Sequence, residues 1–267
     1  MQTSGHDSWN AARSYDHYMG RWSRLIAKEF LSWLKAPDDA DWADIGCGTG
    51  ALAQTIVEHA KPKSVVGLDP SADFIASARE TVADPRATFK VADAETLTLA
   101  DASVDVAASA LALNFVPDMQ KALREMQRVV RPGGTITFYV WDYPGGGMGF
   151  IDEFWKAAAT FDPAARKLDE AQRFPFCTPD GLRAICSAAD IRDVALQAID
   201  VETAFPDFDA FWHPFTLGAG PAPGYCMSLP EPRREELKSH LRARLERHGE
   251  IRLPARAWAV ATQNGQA

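Results

Sequence analysis

The chain has 267 residues, a formal net charge of -8 and 46% hydrophobic residues. That is enough for one large α/β domain or a domain with a cap. The acidic balance offers nothing to a phosphate backbone and argues against a nucleic-acid partner. Met1–Asp7 is polar, without the basic-then-apolar pattern of a leader, and no apolar run approaches bilayer length, so a cytoplasmic protein without membrane insertion is expected. Cys47, Cys177, Cys186 and Cys226 lack metal-ligand spacing and read as reduced thiols, and no metal is expected.

Taken in order, Ser14–Leu34 is predicted as a helix. Tyr18, Trp22, Leu25, Ile26, Phe30 and Trp33 fall on one face. Its first part, Tyr15-Asp16-His17-Tyr18-Met19-Gly20-Arg21-Trp22, reads either as plain packing or as a lid over a site. Trp42–Ile45 is a buried strand, and it runs into Gly46-Cys47-Gly48-Thr49-Gly50. Three alternating glycines mark a turn that needs unusual dihedrals or the close approach of a ligand. Ala51, Leu52, Thr55 and Ile56 then recur at helical spacing. A strand, a glycine turn and a helix start make a binding site for the polar part of a nucleotide-like ligand. Read as Gly46-x-Gly48-x-x-Ala51, with Asp69 ending the next strand, the turn also fits the dinucleotide fingerprint, so the turn alone leaves the ligand open.

Ser64–Leu68 is a second strand, apolar without alternation as in a parallel sheet. Pro70 is predicted at the first position of a helix whose buried face is Phe74, Ile75, Ala78 and Val82. Ala87–Val91 and Val104–Ala110 are the third and fourth strands. Pro117-Asp118 starts a helix with Leu123, Met126, Val129 and Val130 inward, which Pro132-Gly133-Gly134 is predicted to stop. Thr135–Trp141 is the fifth strand. This alternation predicts a doubly wound, mostly parallel sheet. Residues 150–178 read as an insertion, Ile191–Val201 as a sixth strand, Phe205–Phe215 as an aromatic helix and Gly218–Pro230 as a loop. Glu231–Arg247 reads as an amphipathic helix, Ala257–Ala261 as the last strand, and Asn264 onward as a loose tail. The expected architecture is an α/β, Rossmann-like, seven-stranded sheet with helices on both faces. Its expected parts are a helical lid over 1–36, a cofactor-binding core over 37–142, a cap insertion over 143–178 and a completion of the sheet over 179–267 with a second insertion around 205–247.

Four stretches in order resemble the class I S-adenosylmethionine-dependent methyltransferases, in particular the small-molecule group similar to the ubiquinone/menaquinone-type enzymes. They are Asp44–Gly50, Gly67-Leu68-Asp69-Pro70-Ser71, Ala92-Asp93-Ala94-Glu95 with Leu99–Asp105, and Arg128–Gly134. The resemblance implies S-adenosyl-L-methionine as cofactor, S-adenosyl-L-homocysteine as product and a small-molecule acceptor. On that basis Gly46, Cys47 and Gly48 would let the methionine part and ribose lie against bare backbone, and Asp44 would orient the ammonium. Asp69 would accept both ribose hydroxyls. Asp93 and the Ala94 amide would read the adenine edge. Pro70, Phe74 and Leu111 would sandwich the base, and Ala110 would offer a carbonyl to the ammonium. Tyr18 and Arg21 would close over the cofactor from the lid. In-line methyl transfer requires no protein nucleophile, and the catalytic residues stay unassigned. His17 and His213 are the histidines expected over the site; His59, His240 and His248 read as surface residues, and Asp44 or Asp93 could instead serve only the local turn. Phe150, Phe154, Trp155, Phe208, Phe211, Trp212, Phe215 and Tyr225 suggest an apolar or aromatic acceptor, although part of that set must be the cap's own core. A nicotinamide-dependent oxidoreductase and a non-catalytic cofactor-binding module remain the competing readings, and the oligomeric state is open.

Overall fold

The computed structural model describes residues 19–218, 220–246 and 249–265. Helix α1, Arg21–Leu34, buries Trp22, Ile26, Ala27 and Phe30, whereas Leu25 is 46% exposed. The buried stripe follows the i, i+4, i+8 row, which turns Leu25 to solvent against expectation. Strand β1 (Asp41–Ile45) is followed by α2 (Ala51–His59), β2 (Ser64–Asp69), α3 (Ala72–Thr81), β3 (Ala87–Val91) and β4 (Val104–Ala110). Pro70 lies ahead of α3 rather than in its first turn. Ser71 is the N-cap, its hydroxyl accepting from the Phe74 amide at 3.3 Å. Helix α4 (Met119–Val129) is capped by Asp118, which accepts from the Lys121 amide at 2.9 Å. It passes directly into β5 (Val130–Trp141), so Pro132-Gly133-Gly134 lies inside a strand and stops nothing. The pairing shifts register there: Val104 faces Val130 while Val106 faces Thr135.

The remaining elements are α5 (Gly149–Phe161), α6 (Glu170–Arg173), α7 (Pro179–Ala188), β6 (Ala195–Phe205), α8 (Phe208–Trp212), α9 (Pro221–Ser228), α10 (Glu231–Leu245) and β7 (Ile251–Gln263). The expected sixth strand begins later than Ile191, because left-handed turns at Asp190 and Asp193 occupy the connection. The expected loop over 218–230 holds α9, where Pro221 in the first turn costs no hydrogen bond. Strand β7 is longer than its apolar centre. The seven strands form one sheet in the order β3-β2-β1-β4-β5-β7-β6. Strands β1 to β5 pair in parallel. β7 runs antiparallel to β5, as Gly134 bonds Asn264 and Thr137 bonds Val260. None of the described helices is long and apolar enough to cross a membrane.

The chain divides into two compact units. The larger comprises 23–140, 177–199 and 257–267. Its core includes Trp42, Ile45, Val106, Ile136 and Phe138 of the sheet, with Phe30, Leu52, Ile56, Leu123 and Met126 of the helices, all buried. Asn264 is not a loose tail. It is buried, and its side-chain amide donates to the Gln127 and Val130 carbonyls at 3.0 and 2.7 Å.

The other unit comprises the chain up to Trp22, 141–176 and 200–256. Phe150, Phe154, Phe205, Phe211 and Phe215 are buried against one another, with Phe154 and Phe215 stacked at 4.4 Å and Phe150 and Phe211 edge to face at 5.4 Å. Trp155 and Tyr225 continue the cluster at 5.6 Å, Phe208 lies 5.8 Å from Phe211, and Trp212 lies 6.1 Å from Phe215. The rings expected to line an acceptor pocket thus fill each other's space, each pair adding about 0.5–1.5 kcal/mol beyond its buried area. His240 is half-buried, its ring meeting Phe161 edge on at 5.1 Å.

One acid is sunk in this aromatic unit. Glu170 is buried and accepts from the Trp155 indole N–H. Burial lifts its pKa from 4.5 to about 7, against the smaller opposing pull of its hydrogen bonds. A carboxyl whose folded pKa is raised binds its proton more tightly when folded. Its contribution to stability is therefore complete below about 4.5 and is lost as pH rises through 7. Glu170→Gln keeps an acceptor for Trp155 and removes the titration. Denaturant melts of both proteins at pH 5 and pH 8 are expected to differ by on the order of 2 kcal/mol more at the higher pH, in favour of the variant. A pH-independent difference would mean that Glu170 folds as its anion.

Candidate functional site

Parallel register brings the C-terminal ends of β1, β2 and β4 into one row. Asp44 faces Gly67 on β2 and Ala108 on β4, and Asp69 faces Val91 on β3. The turn 46–50 leaves β1 at this edge, tied down by the Gly46 and Cys47 amides donating to the Leu68 carbonyl at 2.7 and 3.0 Å. Gly46, Gly48 and Gly50 all have positive φ, at 71°, 53° and 89°. They are glycines for different reasons. A β-carbon built on Gly46 would stand 2.4 Å from the Ala112 β-carbon, and one on Gly50 would stand 2.8 Å from Val82. Only at Gly48 is there no described atom within 4 Å. The bare backbone at Gly46 therefore has a packing reason, the loop after β4, while Gly48 presents the open face.

Asp44, at the end of β1, is 0% exposed, and neither carboxylate oxygen has a hydrogen-bond partner among the described residues. Burial raises its pKa to about 7. The nearby Ala53 amide draws it down without reaching hydrogen-bond geometry, and the charge of Asp69 raises it further. A buried acid without a partner carries a desolvation cost that a bound cation offsets.

Asp69 has a structural task that the sequence did not suggest. Its two oxygens accept from the Ser71 amide at 2.9 Å and the Gly48 amide at 3.0 Å, which fixes the glycine turn to the end of β2. Burial raises its pKa and the two amides oppose the rise. Each oxygen keeps a second lone pair, so two hydroxyls remain within its capacity. Cys47 is buried, its sulfur beside Gly67, and burial together with Asp44 and Asp69 drives its pKa well up; it is an inert filler.

Pro70 is exposed at the end of β2, while Phe74 is turned into the buried face of α3. Asp93 is exposed and accepts from the Glu95 amide at 2.8 Å, closing a short turn, with Ala94 buried beside it. Ala110 ends β4, half-buried. Leu111 is buried with φ 58°, a left-handed conformation unusual for a leucine, and its amide donates to the Tyr139 carbonyl at 2.9 Å. Arg21 lies in the second unit, its guanidinium 3.8 Å from the Trp22 ring centre and 4.8 Å from that of Phe205. Tyr18 and His17 lie outside the described residues. His213 is exposed on the turn after α8. No group of three or more His, Cys, Asp or Glu suited to a metal occurs among the described residues.

Sequence reasoning missed Asn114, on the 3-10 turn Leu113–Phe115 that follows Ala112. It is 5% exposed, and its side-chain nitrogen has no partner among the described residues. The available signal was one amide in the apolar run Ala110–Val116. Ser109 was missed too: its hydroxyl donates to the Ile45 carbonyl at 2.6 Å and joins β4 to the base of the turn.

The site is thus a mostly parallel sheet in this order, with a glycine turn after β1 and acids at the ends of the adjacent strands β1 and β2. Residues 43–138 match the methyltransferase domain family. Among similar proteins are a malonyl-[acyl-carrier protein] O-methyltransferase of Pectobacterium atrosepticum, 32% identical over 55% of this chain and 55% of its own length, and a trans-aconitate 2-methyltransferase of Variovorax paradoxus, 31% identical over 62% and 61%. The chain spans between 34% and 61% of the length of the curated relatives it matches. The fold is shared with phosphoethanolamine N-methyltransferase 2 of Haemonchus contortus in complex with S-adenosyl-L-methionine (TM-score 0.58, 16% identity, 98% of this chain and 59% of that one) and with the YcgJ protein of Bacillus subtilis (0.58, 16%, 91% and 99%).

Proposed function

We propose that this chain transfers a methyl group from S-adenosyl-L-methionine to a small-molecule acceptor and releases S-adenosyl-L-homocysteine. The observation that carries the reading is the unpartnered carboxyl of Asp44 buried behind the turn whose one open glycine is Gly48. A cationic amino acid head group satisfies that carboxyl. Asp69 holds a sugar diol while its remaining lone pairs keep the turn in place. Asp93 and the Ala94 amide read the adenine edge, and Pro70, Phe74 and Leu111 bound the base. The Ala110 carbonyl adds a second acceptor for the ammonium. The cofactor supplies an electrophilic methyl on a sulfonium, so that as an acceptor lone pair forms the new bond the C–S pair stays on sulfur. The protein's part is alignment and exclusion of water. All four cysteines are free, in keeping with a reducing compartment such as the cytoplasm. The relatives named for malonyl-[acyl-carrier protein] and trans-aconitate make an oxygen nucleophile the first acceptor class to examine. The expected aromatic acceptor has lost its main support, since the rings invoked for it are packed on one another.

Calorimetry with S-adenosylhomocysteine and with NADH tests the reading. Binding of the first alone is expected; binding of NADH alone overturns it in favour of an oxidoreductase. Gly48→Ala sharpens the test. Its left-handed φ costs about 1–2 kcal/mol of stability, but the added methyl projects onto the open face. We expect a folded protein that has lost about tenfold or more in S-adenosylhomocysteine affinity.

A further inference from the structure

The turn after β4 carries a group that the cofactor reading does not use. Leu111 takes a left-handed φ of 58° and is held by its amide on the Tyr139 carbonyl. This reverses the chain so that Ala112 packs into the space left by the missing side chain of Gly46. The next turn is closed by the Phe115 amide on the Ala112 carbonyl at 3.0 Å and the Val116 amide on the Leu113 carbonyl at 3.1 Å. Asn114 is therefore fixed on a backbone that is itself fixed against the cofactor turn. Its Nδ2 is buried with no acceptor among the described residues. A leucine of similar shape would fill this place without leaving a buried donor unmade. An amide nitrogen only donates, so what satisfies it is a lone pair, and it can neither bind an ammonium nor take a proton.

The cofactor's own polar groups are spoken for in the reading above: the ammonium by Asp44, the diol by Asp69 and the adenine edge by Asp93. Its carboxylate suits the amides at the start of α2. We propose that the Nδ2 of Asn114 holds an oxygen of the methyl acceptor, and that the acceptor is a carboxylate. The inference rests on the methyltransferase reading and adds the acceptor's chemistry to it. The transfer then balances without a base. A carboxylate oxygen gives a lone pair to the methyl carbon and becomes a neutral ester, the C–S electron pair remains on sulfur, and no proton moves.

The test compares wild type, Asn114→Leu and Asn114→Asp. Each is melted, titrated with S-adenosylhomocysteine by calorimetry, and assayed for transfer of labelled methyl to a panel of carboxylates that includes trans-aconitate and malonate. Asn114→Leu is expected to melt no lower than wild type and to keep its S-adenosylhomocysteine affinity within about threefold, while kcat/KM for the methylated carboxylate falls about tenfold or more through KM. Asn114→Asp, of the same shape but charged, is expected to lose more by setting like charge against the acceptor. Wild type that binds S-adenosylhomocysteine yet methylates no carboxylate overturns the proposal. So does an unchanged KM in both variants, or a loss of S-adenosylhomocysteine affinity in Asn114→Leu matching its loss of turnover, which would give the oxygen to the cofactor's carboxylate. A lower melting point in both variants with KM unchanged makes the amide structural and also overturns it. Wild type that fails to bind S-adenosylhomocysteine is a different result and removes the cofactor reading itself.

Discussion

Asp44→Asn is expected to weaken S-adenosylhomocysteine binding by about 2 kcal/mol or more, roughly 30-fold, because it removes the charge from a desolvated pair with the ligand ammonium. The same substitution is expected to leave stability unchanged or improved at pH 8, since the acid it replaces is buried without a partner. The pH dependence follows from the raised pKa of about 7. Below that value Asp44 is neutral and must release its proton before it can pair with an ammonium. Wild-type affinity is therefore expected to rise about tenfold per unit between pH 5 and pH 7 and then to level off. The Asn variant, with nothing to titrate, is expected to give a flat profile over that range. Calorimetric titrations of both proteins at three pH values check all of this. Parallel profiles in the two proteins would mean that Asp44 never meets the ligand's cation.

Gly46→Ala is expected to be the more damaging of the glycine substitutions for the fold. The new β-carbon arrives 2.4 Å from that of Ala112, at a φ of 71° that alanine disfavours. Overpacking of about 1–3 kcal/mol adds to a dihedral penalty of about 1–2 kcal/mol. Denaturant melts are thus expected to show a loss of roughly 2–5 kcal/mol, against the smaller loss for Gly48→Ala. Pairing it with Ala112→Gly removes the collision and leaves the dihedral cost. The double variant should recover a part of the loss that the single variants do not predict additively. Strict additivity would place the damage in the backbone alone.

These two glycines also mark where the sequence was legible. That a strand ran into a left-handed turn and a helix could be read from Trp42–Ile45, the glycine spacing and the apolar positions of α2. The division of labour among the glycines could not. It depends on Ala112 and Val82, which lie far along the chain. Asp69 was misjudged for the same reason, since the amides it accepts from belong to a turn 21 residues earlier and a cap two residues later. Strands β1, β2 and β4 were apparent because covered strands read as apolar runs. Strand β7 was underestimated because arginines and a proline interrupt its N-terminal end and its C-terminal end is polar, and Asn264 resembled a tail until its two carbonyl partners were in view. Aromatic residues gave the weakest guidance. A ring that lines a pocket and a ring that packs on another ring have the same letter in the chain, and only the centroid distances among Phe150, Phe154, Phe211 and Phe215 separate them.

The ring-rich unit is also discontinuous, drawing on 141–176 and 200–256 with a stretch of the other unit between them. During synthesis Phe150 and Phe154 leave the ribosome more than fifty residues ahead of Phe205, Phe211 and Phe215, the rings that later pack on them. Nascent chains halted in that interval present bare aromatic surface, so chaperone demand and aggregation should concentrate there rather than at the earlier, more local pairing of β1 with β2.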